Sequence, residues 1–587
     1  MILEALTRYY DALVKQGRAS PPGWCAAKVS FALRLEEDGR IAGVLPLRHE
    51  EQRGKKTVEV PDALQVPEQV VRAMGISPNF LCDNSSYILG MDEKGKPERT
   101  RDCFAASRAL HETILSGTDS PAARAVLAFF ARWDAEAVCD EVEASREEII
   151  KGGNLVFWFQ GGFVQDDPAV RAAWEAHRQA PDPEAVSGRC LVTGETGPIA
   201  RIHPLFRGIQ GAQSSGASLV SFNAPAFESF EKSQSYNAPV SEATAFAYGT
   251  ALNVLLTDRR YVQKVGDTTV VFWSEDADPT YQEFLCALGF GMPPEGTARM
   301  DQNTLEHIVR SIASGGPVSL EDIPLEADTR FYILGLAPNA ARLSVRFFLQ
   351  NSFGAFLEQV AAHYRRLAIV KPAYIQDGAL YLSRLLLETV NPNVRDKAAT
   401  PLLSGAVLRS ILTGAPYPAA LMNAVMLRIK AERAVTYGRA AILKAYLLHN
   451  GPEQYKEELT VGLNEGNNSV PYLLGRLFAM LEWLQEAANG ATTVKDRYFN
   501  AACATPAAVF PLLLRLQNSH MRVVRRDKPG QAVNLDKAIT ALMDRIGDTF
   551  PAHLTMGEQG EFQLGYYQQT LKRYEPKQKT AEKDEEE

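Results

Sequence analysis

Apolar positions recur every three to four residues at the start of the chain. Leu3, Leu6, Tyr10, Leu13 and Val14 mark one face of a helix over residues 1–20, closed by Pro21-Pro22-Gly23. The pattern then changes to short apolar runs. Lys28 to Leu35 and Gly43 to Leu47 read as strands joined through Glu37-Asp38-Gly39, a good hairpin turn, and a polar, basic loop follows at Arg53-Gly54-Lys55-Lys56. Further strands are predicted at Leu155 to Phe159, Thr268 to Trp273 and Arg330 to Leu336. Residues 187–239 are dense in Gly, Ser, Gln and Asn, which predicts short strands and turns with an exposed loop around Gly208 to Ser218. From about Asn351 the helical period dominates, at Phe356 to Val370, Leu421 to Arg433, Tyr437 to Leu448, Leu473 to Leu484 and Val509 to Val523. Thr505-Pro506 supplies an N-cap followed by proline at the first helical position.

The fold class is therefore α+β. A mixed α/β N-terminal region (1–225) and middle region (226–350) precede a C-terminal helical bundle (351–575) and an acidic tail (576–587). A chain of 587 residues exceeds a single core, so several domains are expected. No long uncharged apolar run and no secretory leader pattern is present, which predicts a cytoplasmic protein without a membrane partner. The seven cysteines are scattered without a C-x-x-C pair and read as reduced thiols. The formal charge of −8 decides little, because binding depends on local fields, and the tail from Glu582 carries five acids against Lys583.

The catalytic signatures are missing. There is no G-x-x-x-x-G-K-[ST] loop, no H-E-x-x-H and no G-x-S-x-G, and Gly194-Glu-Thr-Gly197 reads as a turn. The reading is of a non-enzyme with no catalytic residues, no cofactor and no metal. The rival is a metal-dependent nuclease or RNA-processing enzyme centred near His203, Asp83 and Glu195.

Three regions instead carry groups suited to nucleic acid. Ser77 to Tyr87 gathers Asn79, Asn84, Ser85, Ser86 and Tyr87 in a turn whose amides can reach groove acceptors or phosphates, or close an Asx-turn on their own backbone. Arg207 to Gly216, continuing to Asn223, combines glycines with Gln210, Gln213, Ser214 and Ser215. Long planar amides there can wedge against a separated base pair. Residues 401–450 hold Arg409, Arg428, Lys430, Arg433, Arg439 and Lys444 against Glu432, a local charge of +5, with Arg522, Arg525, Arg526 and Lys528 beyond.

Across Asn79-Phe-Leu-Cys-Asp-Asn84 to Tyr87-Ile-Leu-Gly90 the chain resembles the large subunit of the type I-C CRISPR surveillance complex, Cascade, the Csd or Cas-eight-c family. The likeness extends through Arg189 to Pro204, Ile209 to Gly216, Leu219 to Asn223, Ser235 to Ser241, Phe331 to Asn339 and Arg342 to Phe348. The resemblance implies a subunit of a crRNA-guided complex that inspects the protospacer-adjacent motif (PAM) in duplex DNA and promotes opening and R-loop formation. Implied partners are the backbone and guide-processing subunits, target duplex and displaced strand, the helicase-nuclease, and small-subunit copies of its own C-terminal region, starting near Val461 or Met480. It gives segments, and within them PAM-side contacts are expected at Asn79, Asn84, Ser85 and Tyr87, supported by Lys28, Arg53, Lys55 and Lys56. Opening falls to Gln210, Gln213, Ser214, Ser215 and Asn223, and a single-strand track to Arg428, Lys430, Arg433, Arg439, Arg522 and Arg525.

Overall fold

A computed structural model describes residues 1–53, 56–70, 72, 75–93, 97–180, 185–222, 224–258, 260–292, 302–314, 318–320, 323–395, 397–491 and 493–574. The chain forms two compact units. One comprises essentially residues 1–204 and 221–251, the other 205–220 and 252 onward. Lys55, Asn223 and the tail from 575 lie outside the described residues.

The first unit is built on a seven-stranded mixed sheet. Its strands are β1 (Trp24–Leu35), β2 (Ile41–Pro46), β3 (Arg48–Arg53), β4 (Lys56–Pro67), β5 (Asp83–Asn84), β6 (Asn154–Phe159) and β7 (Gly162–Phe163). The path runs β3-β4-β1-β6-β5, with β2 on β1 and β7 on β6. β1 pairs in parallel with β6 and antiparallel with both β2 and β4. These two central strands are covered on both faces, which is why LVFWF reads as an unbroken apolar run. On one face Phe31, Leu33 and Phe157 meet Phe129 and Phe130 of the helix Pro121–Arg132, and Ala32, Val66 and Val156 fill the other. Truncating Phe157, fully buried, costs about 3–5 kcal/mol. The opening helix, Ile2–Lys15, buries Leu6, Tyr9, Tyr10 and Leu13 on its spaced face.

Arg53 and Lys56, the outer residues of the predicted basic loop, are the last pair of a β3–β4 ribbon in register from Arg48↔Pro61. The Arg48 to Gln52 stretch and Thr57 to Glu59 are exposed throughout. Val60 near its base is buried but Val58 is exposed, so β3 carries no apolar alternation and β4 only a short one to betray the pair.

Between the sheets come β8 (Ser187–Arg189) paired with β9 (Thr196–Pro198). The second unit then contributes β10 (Leu205–Phe206), β11 (Ala217–Ser218), β12 (Gln263–Val265), β13 (Thr268–Ser274), the small β14 (Val318–Leu320) and β15 (Ile323–Leu325) pair, β16 (Arg330–Asn339) and β17 (Arg342–Ser352). Its six-stranded sheet runs β10-β11-β17-β16-β13-β12. Helices follow from Phe353. Phe272, Phe331 and Ile333 of the sheet share one core with residues of the bundle as far as Tyr567, so the strand-to-helix change near 351 does not divide the core.

The bundle centres on the helix Val470–Asn489, apolar on nearly all sides, as a central helix must be. It lies backbone to backbone with Met556–Lys572. A Cβ on Gly475 would stand 2.0 Å from the Phe562 carbonyl oxygen, and one on Gly565 2.1 Å from that of Tyr472. Thr505 occupies the N-cap position before Pro506, yet its hydroxyl donates to the Ala501 carbonyl at 3.1 Å instead of capping the new helix. No described helix is long and apolar enough to cross a membrane.

Candidate nucleic-acid interface

The asparagine-rich turn of the first unit is organised around a buried carboxylate. β5 pairs with β6 (Asp83↔Leu155, Asn84↔Asn154), which pins the turn to the sheet edge. Asp83, 1 % exposed, accepts both guanidinium nitrogens of Arg72 and the backbone N–H groups of Asn79 and Asn84, each at 2.8 Å. A buried charge demands this much compensation. Arg72 also lies 4.0 Å over the Tyr87 ring, whose hydroxyl accepts from the Ser77 N–H. Asn79 is buried and its side-chain oxygen accepts from the Val70 N–H at 2.8 Å.

Burial therefore removes Asn79, Ser85 and Tyr87 from direct contact with a nucleic-acid groove, and their work is to shape the turn. Asn84 is half-buried. Its Oδ1 caps the short helix Ser85–Ile88 through the Ser86 N–H at 3.0 Å, the Asx-turn alternative, while its amide nitrogen has no acceptor among the described residues. Lys28 stands exposed on β1. Of Arg53 and Lys56 the described feature is their pairing at the ribbon's end.

The second unit treats its amide-rich segment in the opposite way. Residues 207–216 span β10 and β11, whose register is Leu205↔Ser218 and Phe206↔Ala217. Buried Ile209 anchors the loop. Two tight turns follow, closed by Ala212 N–H to the Ile209 carbonyl at 3.2 Å and Gly216 N–H to that of Gln213 at 3.0 Å. Gly211, at φ +79°, holds the left-handed position that the first turn requires. Gln210, Gln213, Ser214 and Ser215 are exposed, and their side chains make no hydrogen bond with the described residues.

The cationic candidates divide. Arg439, 3 % exposed, donates to Glu432 at 2.7 Å and the Ala434 carbonyl at 3.0 Å and stands 3.5 Å from Glu388, so it is a structural ion and no part of an exposed track. Arg428 is 15 % exposed beside Glu432 at 3.7 Å. The single acid counted against six cations thus binds two of them. Lys430 is half-buried, Arg433 is exposed at the left-handed end of its helix, 3.9 Å from Asp496, Arg525 pairs with Asp536 at 2.8 Å, and Arg522 is exposed.

The residues of the enzymatic alternative are individually engaged or exposed. His203 is buried, with Nδ1 2.5 Å from the Tyr248 hydroxyl and Nε2 without a partner, and burial holds it down at about 4. Glu195 is exposed. Among the described residues no group of three or more His, Cys, Asp or Glu side chains is placed to hold a metal ion.

One feature escaped sequence reasoning. Ser229 and Lys232 close a turn in which Phe230 (φ +52°) and Glu231 (φ +58°) both adopt the left-handed conformation, a shape that favours glycine and asparagine. Asn237 holds both ends, accepting from the Ser229 N–H at 2.9 Å and donating to the Lys232 carbonyl at 2.6 Å. The strained tip presents Phe230 at 92 % exposure. No glycine or Asn-Gly pair marks it in the sequence.

Compared with known families, residues 6–574 match CRISPR-associated protein (Cas_Csd1). The chain belongs to the CRISPR-associated Csd1 family. The match takes in both units, so the asparagine turn, the glutamine loop and the helical bundle are all parts of one Csd1 chain. No curated individual protein matches the chain.

Proposed function

We propose that this Csd1 chain is the non-catalytic large subunit of a type I-C Cascade complex. In this reading the first unit inspects the PAM in duplex DNA, with the Asn84 amide, Lys28 and the β3–β4 ribbon as contacts. A two-stranded ribbon fits the major groove. The Gln210–Ser215 loop opens the duplex, and exposed cations such as Arg433 and Arg522 follow the displaced strand. Guide pairing supplies sequence choice, since the heteroduplex about balances the duplex lost. The other partners are the crRNA-bearing backbone and guide-processing subunits, the helicase-nuclease, and small-subunit copies of the C-terminal region. Of the two internal starts, Val461 lies between helices, whereas Met480 would sever Val470–Asn489.

The observation that carries this reading is the loop itself. Four neutral hydrogen-bonding side chains are displayed on two consecutive turns anchored to a sheet, with no hydrogen-bond partner among the described residues. Neutral donors can replace the hydrogen bonds of a separated base pair, and opening one step costs about a few kcal/mol that such contacts offset.

The test is assembly of the complex with Gln210→Ala and Gln213→Ala, followed by permanganate footprinting of a PAM-containing duplex. Slower opening with unchanged assembly is expected. Wild-type opening would overturn the assignment. Magnesium-dependent cleavage of DNA or RNA that a His203 substitution abolishes would overturn the non-catalytic part.

A further inference from the structure

A second polar feature of the bundle lies apart from the loops. The last turn of the helix Phe353–Leu367, the middle of Tyr437–Asn450 and the short helix Tyr455–Glu458 enclose an open pocket of about 610 Å³. Arg365, Arg366, Lys444, His449 and Lys456 line it together with Thr460, and no carboxylate does. Lys456 has an exposed partner in Glu453 at 2.6 Å, but no described acid pairs with Arg365, Arg366 or Lys444.

Two of these cations are left incompletely satisfied. Lys444 is 3 % exposed, and its ammonium has one long hydrogen bond, 3.4 Å to the Arg366 carbonyl. The Arg366 Nη2 is buried with no hydrogen-bond partner among the described residues, while its guanidinium lies 5.5 Å over the Tyr417 ring and its Nε reaches the Tyr417 hydroxyl at 3.4 Å. Burial, and after it the charge of Arg366, disfavours protonation of both His363 and His449, and burial pushes Lys444 down to about 8. The His449 Nε2 is committed to the carbonyls of Gly414 and Ala415.

A buried cation without an anion is expensive, and this pocket holds an ammonium and a guanidinium donor in that state. The forked guanidinium and the point-like ammonium together match a tetrahedral anion. We propose that this pocket seats a backbone phosphate of a single-stranded nucleic acid. The proposal rests on the nucleic-acid reading of the chain and deepens it by naming a recessed site where sequence reasoning expected only a charged helix face. The competing role for Lys444 is purely local, as donor to a terminal carbonyl of the helix Phe353–Leu367.

The full chain is titrated with a short, labelled, single-stranded oligonucleotide lacking any PAM, as DNA and as RNA, and with inorganic phosphate as competitor. The variants are Lys444→Met, the exposed pair Arg365→Gln/Lys456→Gln, and Arg101→Gln as a control in the other unit. Loss of a charged contact should weaken binding about tenfold. Each lost phosphate contact should also lower the salt slope by about 0.7. Phosphate should compete against wild type and not against the variants, and Arg101→Gln should bind normally. Unchanged affinity and slope in the exposed pair, with an unchanged melting temperature, overturns the proposal. So does stabilisation by inorganic phosphate with no loss of oligonucleotide binding, which would make the pocket a small-anion site. PAM reading can fail with these results intact, because the probe has neither duplex nor PAM.

Discussion

The asparagine turn of the first unit and the glutamine loop of the second have similar compositions and opposite fates. Around Asp83 the Arg72 guanidinium and the Asn79 and Asn84 backbone N–H groups turn inward, because a carboxylate 1 % exposed must be neutralised and hydrogen-bonded. The loop at 207–216 contains no buried charge, so one apolar anchor, Ile209, suffices and the amides stay outside. Amide density therefore does not tell a recognition surface from a structural knot. A buried ion beside it does. The same rule separates Arg439, sealed between Glu432 and Glu388, from exposed Arg522.

The sharpest way to break this contrast is to remove its cause. Asp83→Ala leaves Arg72 and two backbone donors uncompensated and should cost about 3–5 kcal/mol in urea unfolding. Gln210→Ala/Gln213→Ala should stay within about 0.5 kcal/mol. Equal losses in the two would erase the distinction.

A second inward-facing group tests it through pH. Burial depresses His203 to about 4, well below its value in the unfolded chain. Between those values the unfolded chain takes up a proton that the folded one refuses, so stability falls as pH drops from about 6.5 to about 4, by up to about 3 kcal/mol. His203→Phe should flatten that part of the stability profile, and a profile parallel to wild type would show that the imidazole is not sealed.

The smallest effect belongs to an outward-facing position. Phe230→Gly relieves a left-handed backbone and removes no packing, so it should stabilise the protein by about 1 kcal/mol. If Phe230 stacks on a base, the same change slows duplex opening. Stabilisation without slowing leaves Phe230 outside the opening step.

What periodicity encodes can be read along the chain. The helices Phe353–Leu367, Ala419–Glu432, Tyr437–Asn450, Val470–Asn489 and Pro506–Asp527 and the strands β1, β6, β13 and β16 were legible, because burying one face or both imposes a repeat on the residues. The β3–β4 ribbon was not, since it is exposed along 48–52 and 57–59 and Arg-His-Glu-Glu-Gln-Arg carries no repeat. Lys444 was half legible. Its helical neighbours Ala440, Ala441, Leu447 and Leu448 place it on an apolar face, and counting charge alone hid this.

Which polar groups find partners depends on how the chain folds back on itself. Arg72 reaches Asp83 eleven positions on, Arg439 meets Glu388 from a neighbouring segment, and Arg366 and Lys444 converge from separate helices. Hydrogen bonding and charge compensation are pairwise and depend on distance in space, and a linear pattern records one partner at a time.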